Sequence, residues 1–257
     1  MLATVNAATL HGVCGHPVRV EVHVANGLPA FTVVGLPDAS CREARDRVRA
    51  ALVSSGLSWP ARRITVNLAP TGIPKAGSVL DLAMAVGLLV ACEEIESESI
   101  LALAFLGELG LDGSIRPIPG VLPLVDALEA SGVVVAPGNQ PEAALVTTQR
   151  VLGVGDLRTL VRALRHEAPW PTSVEAPVRA EPVEGPDLSD VRGQRVARFA
   201  LEVAAAGAHH ILLVGPPGSG KSMLARRLPG ILPDLDPVDA LEATRIRSAA
   251  GEDLPPG

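Results

Sequence analysis

Eight consecutive residues, Gly215-Pro216-Pro217-Gly218-Ser219-Gly220-Lys221-Ser222, carry the richest chemistry of the 257-residue chain. They satisfy the pattern G-x-x-x-x-G-K-[ST], in which glycines let the main chain bend tightly enough for several N–H groups to converge on one anion. At this spacing Lys221 reaches the β- and γ-phosphates of a nucleoside triphosphate, and Ser222 offers its hydroxyl to Mg²⁺. The expected phosphate-binding set is therefore Gly215, Pro216, Pro217, Gly218, Ser219, Gly220, Lys221, Ser222 and the adjacent Met223, with ATP and Mg²⁺ as ligands and Ser222 as the metal contact. Composition sharpens the point. The chain has 20 arginines and two lysines, Lys75 and Lys221, so a lysine at the motif position stands out against the background.

A phosphate loop works only between a strand and a helix. The apolar run Ile211-Leu212-Leu213-Val214 predicts a buried parallel strand, and Ser222 to Leu228 predicts the helix, whose positive end would face the phosphates. A further helix is predicted from Gly193 to Ala206. Upstream, residues 168–186 contain Pro169, Pro171, Pro177, Pro182 and Pro186 without apolar periodicity, the composition of a stiff linker. It separates an N-terminal domain, residues 1–167, from a C-terminal segment, residues 187–257.

The N-terminal domain reads as α/β. Val18, Val20, Val22 and Val24 alternate with polar residues, and Asn26-Gly27 leads into Phe31, Val33 and Val34, which predicts a β-hairpin. Ser40 with Glu43 predicts a capping box for a helix through Ser55, ended by Gly56, with a strand from Arg63 to Leu68 after it. Val79 to Ala91 predicts a buried helix. Leu103 to Leu109 and Ser114 to Pro117 then flank an Asp112-Gly113 turn, and the pattern continues as helix (Val121 to Ala130), strand (Val133 to Ala136) and helix (Asp156 to His166).

Composition excludes several classes. Hydrophobic residues make up 47% of the chain, which rules out disorder, and a net charge of −6 offers no global basic field for nucleic acid. Aromatic residues are 2%, with no tyrosine, so stacking platforms for single strands are nearly absent. No apolar run reaches the ~20 residues that cross a bilayer. Cys14, Cys41 and Cys92 form no C-x-x-C pair, which points to a reducing cytoplasm and to buried packing roles.

Several segments together resemble the magnesium-chelatase-like AAA+ ATPases: Gly193-Gln194, the Gly215–Ser222 loop, Arg227-Leu228-Pro229-Gly230-Ile231-Leu232-Pro233, Ala240-Leu241-Glu242 and Ser248-Ala249-Ala250-Gly251. Within them the N-terminal domain resembles the YifB/ComM group, through Asn26-Gly27-Leu28-Pro29-Ala30-Phe31, Val34-Gly35-Leu36-Pro37-Asp38, Asn67-Leu68-Ala69-Pro70 and Ile73-Pro74-Lys75-Ala76-Gly77-Ser78. The resemblance implies a Lon-protease-like N-terminal domain followed by the first part of a P-loop AAA+ domain. It further implies a hexameric, ring-forming motor that acts on DNA as a branch-migration helicase in natural transformation. Two alternatives stand beside it: a magnesium-chelatase motor for porphyrin metallation, and a nucleotide-regulated interaction module.

The Lon likeness raises serine-lysine proteolysis. Aligned on Lon's motifs, Val79 stands where the nucleophilic serine belongs and Leu122 where the lysine base belongs, with Ser78 one position off. A serine hydroxyl needs an adjacent base to become a nucleophile at neutral pH, so the domain is expected to be a non-proteolytic scaffold or partner-binding surface. No catalytic residue is expected within this chain, because the family places the magnesium carboxylate, sensor and arginine finger beyond residue 257; nucleotide binding with negligible turnover is the expectation. Gly193-Gln194 resembles the family's adenine-side contact, against the plainer reading of a helix N-terminus. His11, Cys14, His16 and His23 match no established zinc spacing. Arg42, Arg45 and Arg49 recur at helical spacing, but Glu43 and Arg47 at i and i+4 argue for an ordinary ion-paired surface.

Overall fold

A computed structural model describes residues 1–145, 149–172 and 185–252. The chain divides into two compact units, Met1–Arg179 with Ala243–Gly257, and Ala180–Glu242. Residues 173–184 of the expected linker lie outside the described residues.

The first unit is built on a mixed seven-stranded sheet. Strand β1 (Leu2–His11) turns at Gly12, whose φ of +62° suits glycine, into β2 (Cys14–Ala25). The two form a ten-pair antiparallel ladder from Leu2↔His23 to His11↔Cys14. The β1 strand was not legible as such beforehand, and the expected hairpin after Ala25 is a correction. Strand β3 (Ala30–Val34) does not pair with β2. Past helix α1 (Ala39–Ser54), strand β4 (Arg63–Ala69) inserts between them, antiparallel to β2 and parallel to β3. A hairpin needs its two strands to be lateral neighbours, and the valines of β2 are better served by the Ile64, Val66 and Leu68 face of β4.

The cap of α1 is a second correction. Asp38, not Ser40, accepts the Cys41 amide at 2.7 Å, and Gly56 (φ +79°) follows the helix end as expected. The expected buried helix is α2 (Asp81–Ala91), nearly every residue of which is buried. It lies against the sheet so closely that a Cβ on Gly87 would stand 2.7 Å from Val22 Cγ2 and 3.2 Å from Val5 Cγ2.

Strand β5 (Leu103–Phe105) joins the other side of β1 in parallel. The expected segment Leu103 to Leu109 is split between β5 and β6 (Glu108–Leu109), and β6 pairs with β7 (Ile115–Arg116) in a separate two-stranded sheet turned by Asp112, whose carboxylate accepts from Ser114 N and Oγ. Helix α3 (Val121–Asp126) is shorter than predicted, and strand β8 (Gly132–Val135) adds parallel to β5. Helix α4 (Gln140–Ala143) leads to β9 (Arg150–Gly153), parallel to β8, which sequence patterning missed. Helix α5 (Leu157–Leu164) follows, N-capped by Asp156 onto Thr159 N at 2.8 Å. The strand order is β3-β4-β2-β1-β5-β8-β9.

The second unit holds helices α6 (Arg195–Ala206) and α7 (Lys221–Ala225) around Leu188, Val191, Leu201 and Leu224. Helix α8 (Pro237–Ala250) begins in this unit and ends in the first, where Arg245 pairs with Asp126 at 2.8 Å.

Candidate functional site

The expected strand before the phosphate loop is not formed, a third correction. Ile211 and Leu213 pack on the second unit's core while Leu212 and Val214 are 85% and 84% exposed. This is the period-two alternation of a strand with one side covered. A strand also needs a lateral partner for its N–H and C=O groups, and among the described residues the second unit contains no other strand. The helix after the loop is also shorter than predicted. Beyond Ala225 the bonds tighten to i−3 spacing, Arg227 N to Leu224 O and Leu228 N to Ala225 O, and a 3₁₀ turn at Pro229–Ile231 follows.

The loop itself has the geometry that its glycines foretold. Gly218 and Gly220 have φ of +80° and +84°, a region that side-chain-bearing residues avoid. Ser219 N donates to Pro216 O at 3.3 Å and closes the turn. The Lys221 ammonium is folded back into it, donating to Gly215 O and Pro216 O at 2.8 Å each and to Ser219 Oγ at 3.3 Å. Leu224, buried, anchors α7 to the core, so that Lys221 stays half-buried while Ser222 and Met223 face outward from the first turn. The whole predicted set, Gly215 to Met223, is one continuous surface segment, exposed apart from half-buried Gly220 and Lys221.

Two supports went unread in the sequence. Arg227 Nε donates to Asp187 O at 2.9 Å and its NH1 to Met223 O at 3.0 Å, tying the end of α7 to the segment that opens the unit. Gln194, at φ +46° before α6, donates from Nε2 to Ser219 O at 3.4 Å. Its expected place at a helix N-terminus is correct, and its side chain reaches the phosphate loop. A left-handed non-glycine residue was the one hint, and it is invisible without coordinates.

In the first unit the Lon-aligned positions carry no catalytic pair. Val79 and Leu122 are buried hydrophobic side chains. The Ser78 hydroxyl donates to Glu108, and Lys75, fully buried, donates to the Pro70 carbonyl. Burial lowers the Lys75 pKa. Asp38 binds Cys41 N and Gly77 N through its two oxygens; burial would raise its pKa, but these hydrogen bonds hold it below the ordinary carboxylate value. Burial pushes Asp81 up to about 6, in spite of Arg47 beside it.

Among the described residues no group of three His, Cys, Asp or Glu side chains is placed to hold a metal ion. The His11 and His16 rings lie 6.2 Å apart at the β1–β2 turn, whereas His23 sits at the far end of the ladder opposite Leu2. Cys14 is exposed, which corrects the expectation that all three cysteines pack inside; Cys41 is buried and Cys92 half-buried. Arg42 donates to Pro37 O, and Arg47 is 4.0 Å from Glu43 but 2.6 Å from Asp81, its main partner. No helix among the described residues is long and apolar enough to cross a membrane.

Comparison with known proteins adds the lineage. Residues 20–139 match the family described as subunit ChlI of Mg-chelatase, and residues 187–256 match the family described as magnesium chelatase, subunit ChlI. The chain is 41% identical to the YifB protein of Salmonella typhimurium over 98% of this chain and 50% of the relative. It is 39% identical to the competence protein ComM of Haemophilus influenzae over 98% of this chain and 51% of the relative. A shorter stretch of 102 residues, 39% of this chain and 18% of the relative, is 32% identical to Lon protease 2 of Bacillus subtilis. The chain spans about half the length of the curated relatives it matches end to end.

Proposed function

The chain belongs to the YifB/ComM family of magnesium-chelatase-like proteins, and from that premise we propose that it is the nucleotide-binding part of an AAA+ motor that works on DNA. The single observation behind this reading is the Gly215–Ser222 loop closed around the Lys221 ammonium. Among the described residues this cation has two carbonyls and a hydroxyl as partners, and no carboxylate serves as its counter-charge. A triphosphate supplies one, and the main-chain N–H groups of Gly218, Ser219, Gly220 and Lys221 add the donors that an anion needs.

The residues fit magnesium-bound ATP. Ser222 would offer its hydroxyl to the metal, whose charge would offset that of the phosphates. Lys221 would exchange its carbonyl partners for the β- and γ-phosphates. In this reading residues 1–167 form a Lon-like, non-proteolytic domain, residues 168–186 a linker, and residues 187–257 the opening part of the ATPase domain. The buried Val79 and Leu122 support the non-proteolytic assignment, because neither side chain can transfer a proton. Residues 1–257 alone would bind nucleotide and turn it over negligibly, because phosphoryl transfer also requires a metal carboxylate, a group that orients water and an arginine finger.

The role on DNA rests on the relative called a competence protein. The whole motor is proposed to be a cytoplasmic hexameric ring that drives branch migration. Its test is the unwinding of a branched DNA by the full-length protein with ATP. Unwinding that needs ATP and disappears in Lys221→Ala supports the motor; nucleotide binding without any ATP-dependent unwinding favours a regulatory switch instead.

A further inference from the structure

Gln194 is tied to the phosphate loop by two observations. Its Nε2 donates to the Ser219 carbonyl at 3.4 Å, across 25 residues of sequence. The same nitrogen is close to Gly220, where an added Cβ would meet it at 2.6 Å and Met223 Cε at 3.3 Å. The space that a side chain at Gly220 would need is taken by Gln194 and Met223, at the left-handed residue where the loop becomes α7. Gly193 and Gln194 both adopt positive φ, +74° and +46°, and this pair of left-handed residues precedes α6. A glutamine tolerates that conformation poorly, so the surrounding contacts must hold it.

The contact has a direct consequence for anion binding. The loop binds phosphate through N–H groups that must point the same way, and the peptide that carries the Ser219 carbonyl also carries the Gly220 N–H. Because the peptide is planar and trans, its C=O and N–H point in opposite directions within one plane, so drawing the carbonyl toward Gln194 aims the Gly220 N–H away from it. On the proposed-function reading of this loop, we propose that Gln194 is a positioning residue of the phosphate loop, which fixes the Ser219–Gly220 peptide and thereby the direction of the Gly220 N–H, and is not a contact to the nucleotide base. Its effect then falls on the phosphates alone and is indifferent to the base.

The test uses the 257-residue chain, isothermal titration, and two probes: magnesium-bound ATP and inorganic tripolyphosphate, which has the phosphates without a base. The variants are Gln194→Met, which removes the donor at similar volume, Gln194→Glu, which keeps the shape but replaces the donor by an acceptor, and Gln194→Asn as the conservative shortening. Lys221→Ala is the control for the loop. Loss of one hydrogen bond predicts that Gln194→Met weakens both probes by the same factor, about fivefold, that Gln194→Glu weakens both further by charge repulsion, and that Gln194→Asn falls between wild type and Gln194→Met. Unchanged far-UV circular dichroism keeps the comparison to folded protein. Loss confined to ATP, with tripolyphosphate unaffected, makes Gln194 a base contact and overturns the proposal; so does unchanged binding of both. If the wild-type chain binds neither probe, the nucleotide reading falls, and this inference with it. If wild type binds both and only Lys221→Ala loses them, the nucleotide reading survives and only the role of Gln194 is lost.

Discussion

Arg47 Nε lies 2.6 Å from Asp81 Oδ2, with its NH2 3.0 Å from Oδ1, a bidentate pair that joins α1 to the first turn of α2. The carboxylate is 1% exposed. Bidentate geometry favours its charged form, but removal from water dominates and raises its pKa to about 6.

That shift fixes the sign of a pH dependence. The folded-state value lies above the ordinary 3.8, so the folded chain holds this proton where the unfolded chain has released it. The resulting stability is fully present below about pH 3.8 and is lost as the pH rises through about 6. Wild type should therefore gain more than about 1 kcal/mol of unfolding free energy between pH 7 and pH 5 relative to Asp81→Asn, which has no such proton. Urea denaturation of both proteins at the two pH values measures the difference. Parallel pH profiles would contradict the assignment.

Gly87 offers a packing test. Alanine is the better helix former by about 1 kcal/mol, and an exposed helical glycine would gain that on substitution. Here the added methyl meets Val22 Cγ2 at 2.7 Å, between two packed layers with no free space. Overpacking costs typically about 1–3 kcal/mol, so Gly87→Ala should destabilise the first unit in spite of its propensity. A rise in urea midpoint would show that α2 stands farther from the sheet than the contact requires.

Much of this was legible from local pattern. Strict alternation gave β2 and β4, a continuous apolar run gave α2, and Gly56 and Gly113 marked the ends and turns that their positive φ requires. The bend of the Gly215–Ser222 loop was legible because its left-handed residues, Gly218 and Gly220, are glycines of the motif. What failed was non-local. The pairing of β3 with β4 in place of β2 depends on a strand more than thirty residues away, and nothing in Asn26-Gly27 reports it. Asp38 outranked Ser40 as a cap because its second oxygen also binds Gly77 N, a contact 39 residues distant. Ile211–Val214 has the composition of a strand, but a ladder is a property of two segments, and only one is present in its unit among the described residues. Gln194 was seen as a helix start; its reach to Ser219 depends on a left-handed backbone that composition does not encode.

The central claim is that the Gly215–Ser222 loop is a seat for the phosphates of ATP. Calorimetric titration of magnesium-bound ATP into the folded 257-residue chain tests it most directly, beside Lys221→Ala, whose side chain hydrogen-bonds to the loop through Gly215, Pro216 and Ser219. Saturable binding at one site, weakened more than about tenfold in the variant at unchanged melting temperature, is the predicted result, since charge-assisted contacts to phosphate are among the strongest available. Well-folded wild-type protein that takes up no heat and shows no change in melting temperature at millimolar magnesium-bound ATP would contradict the account.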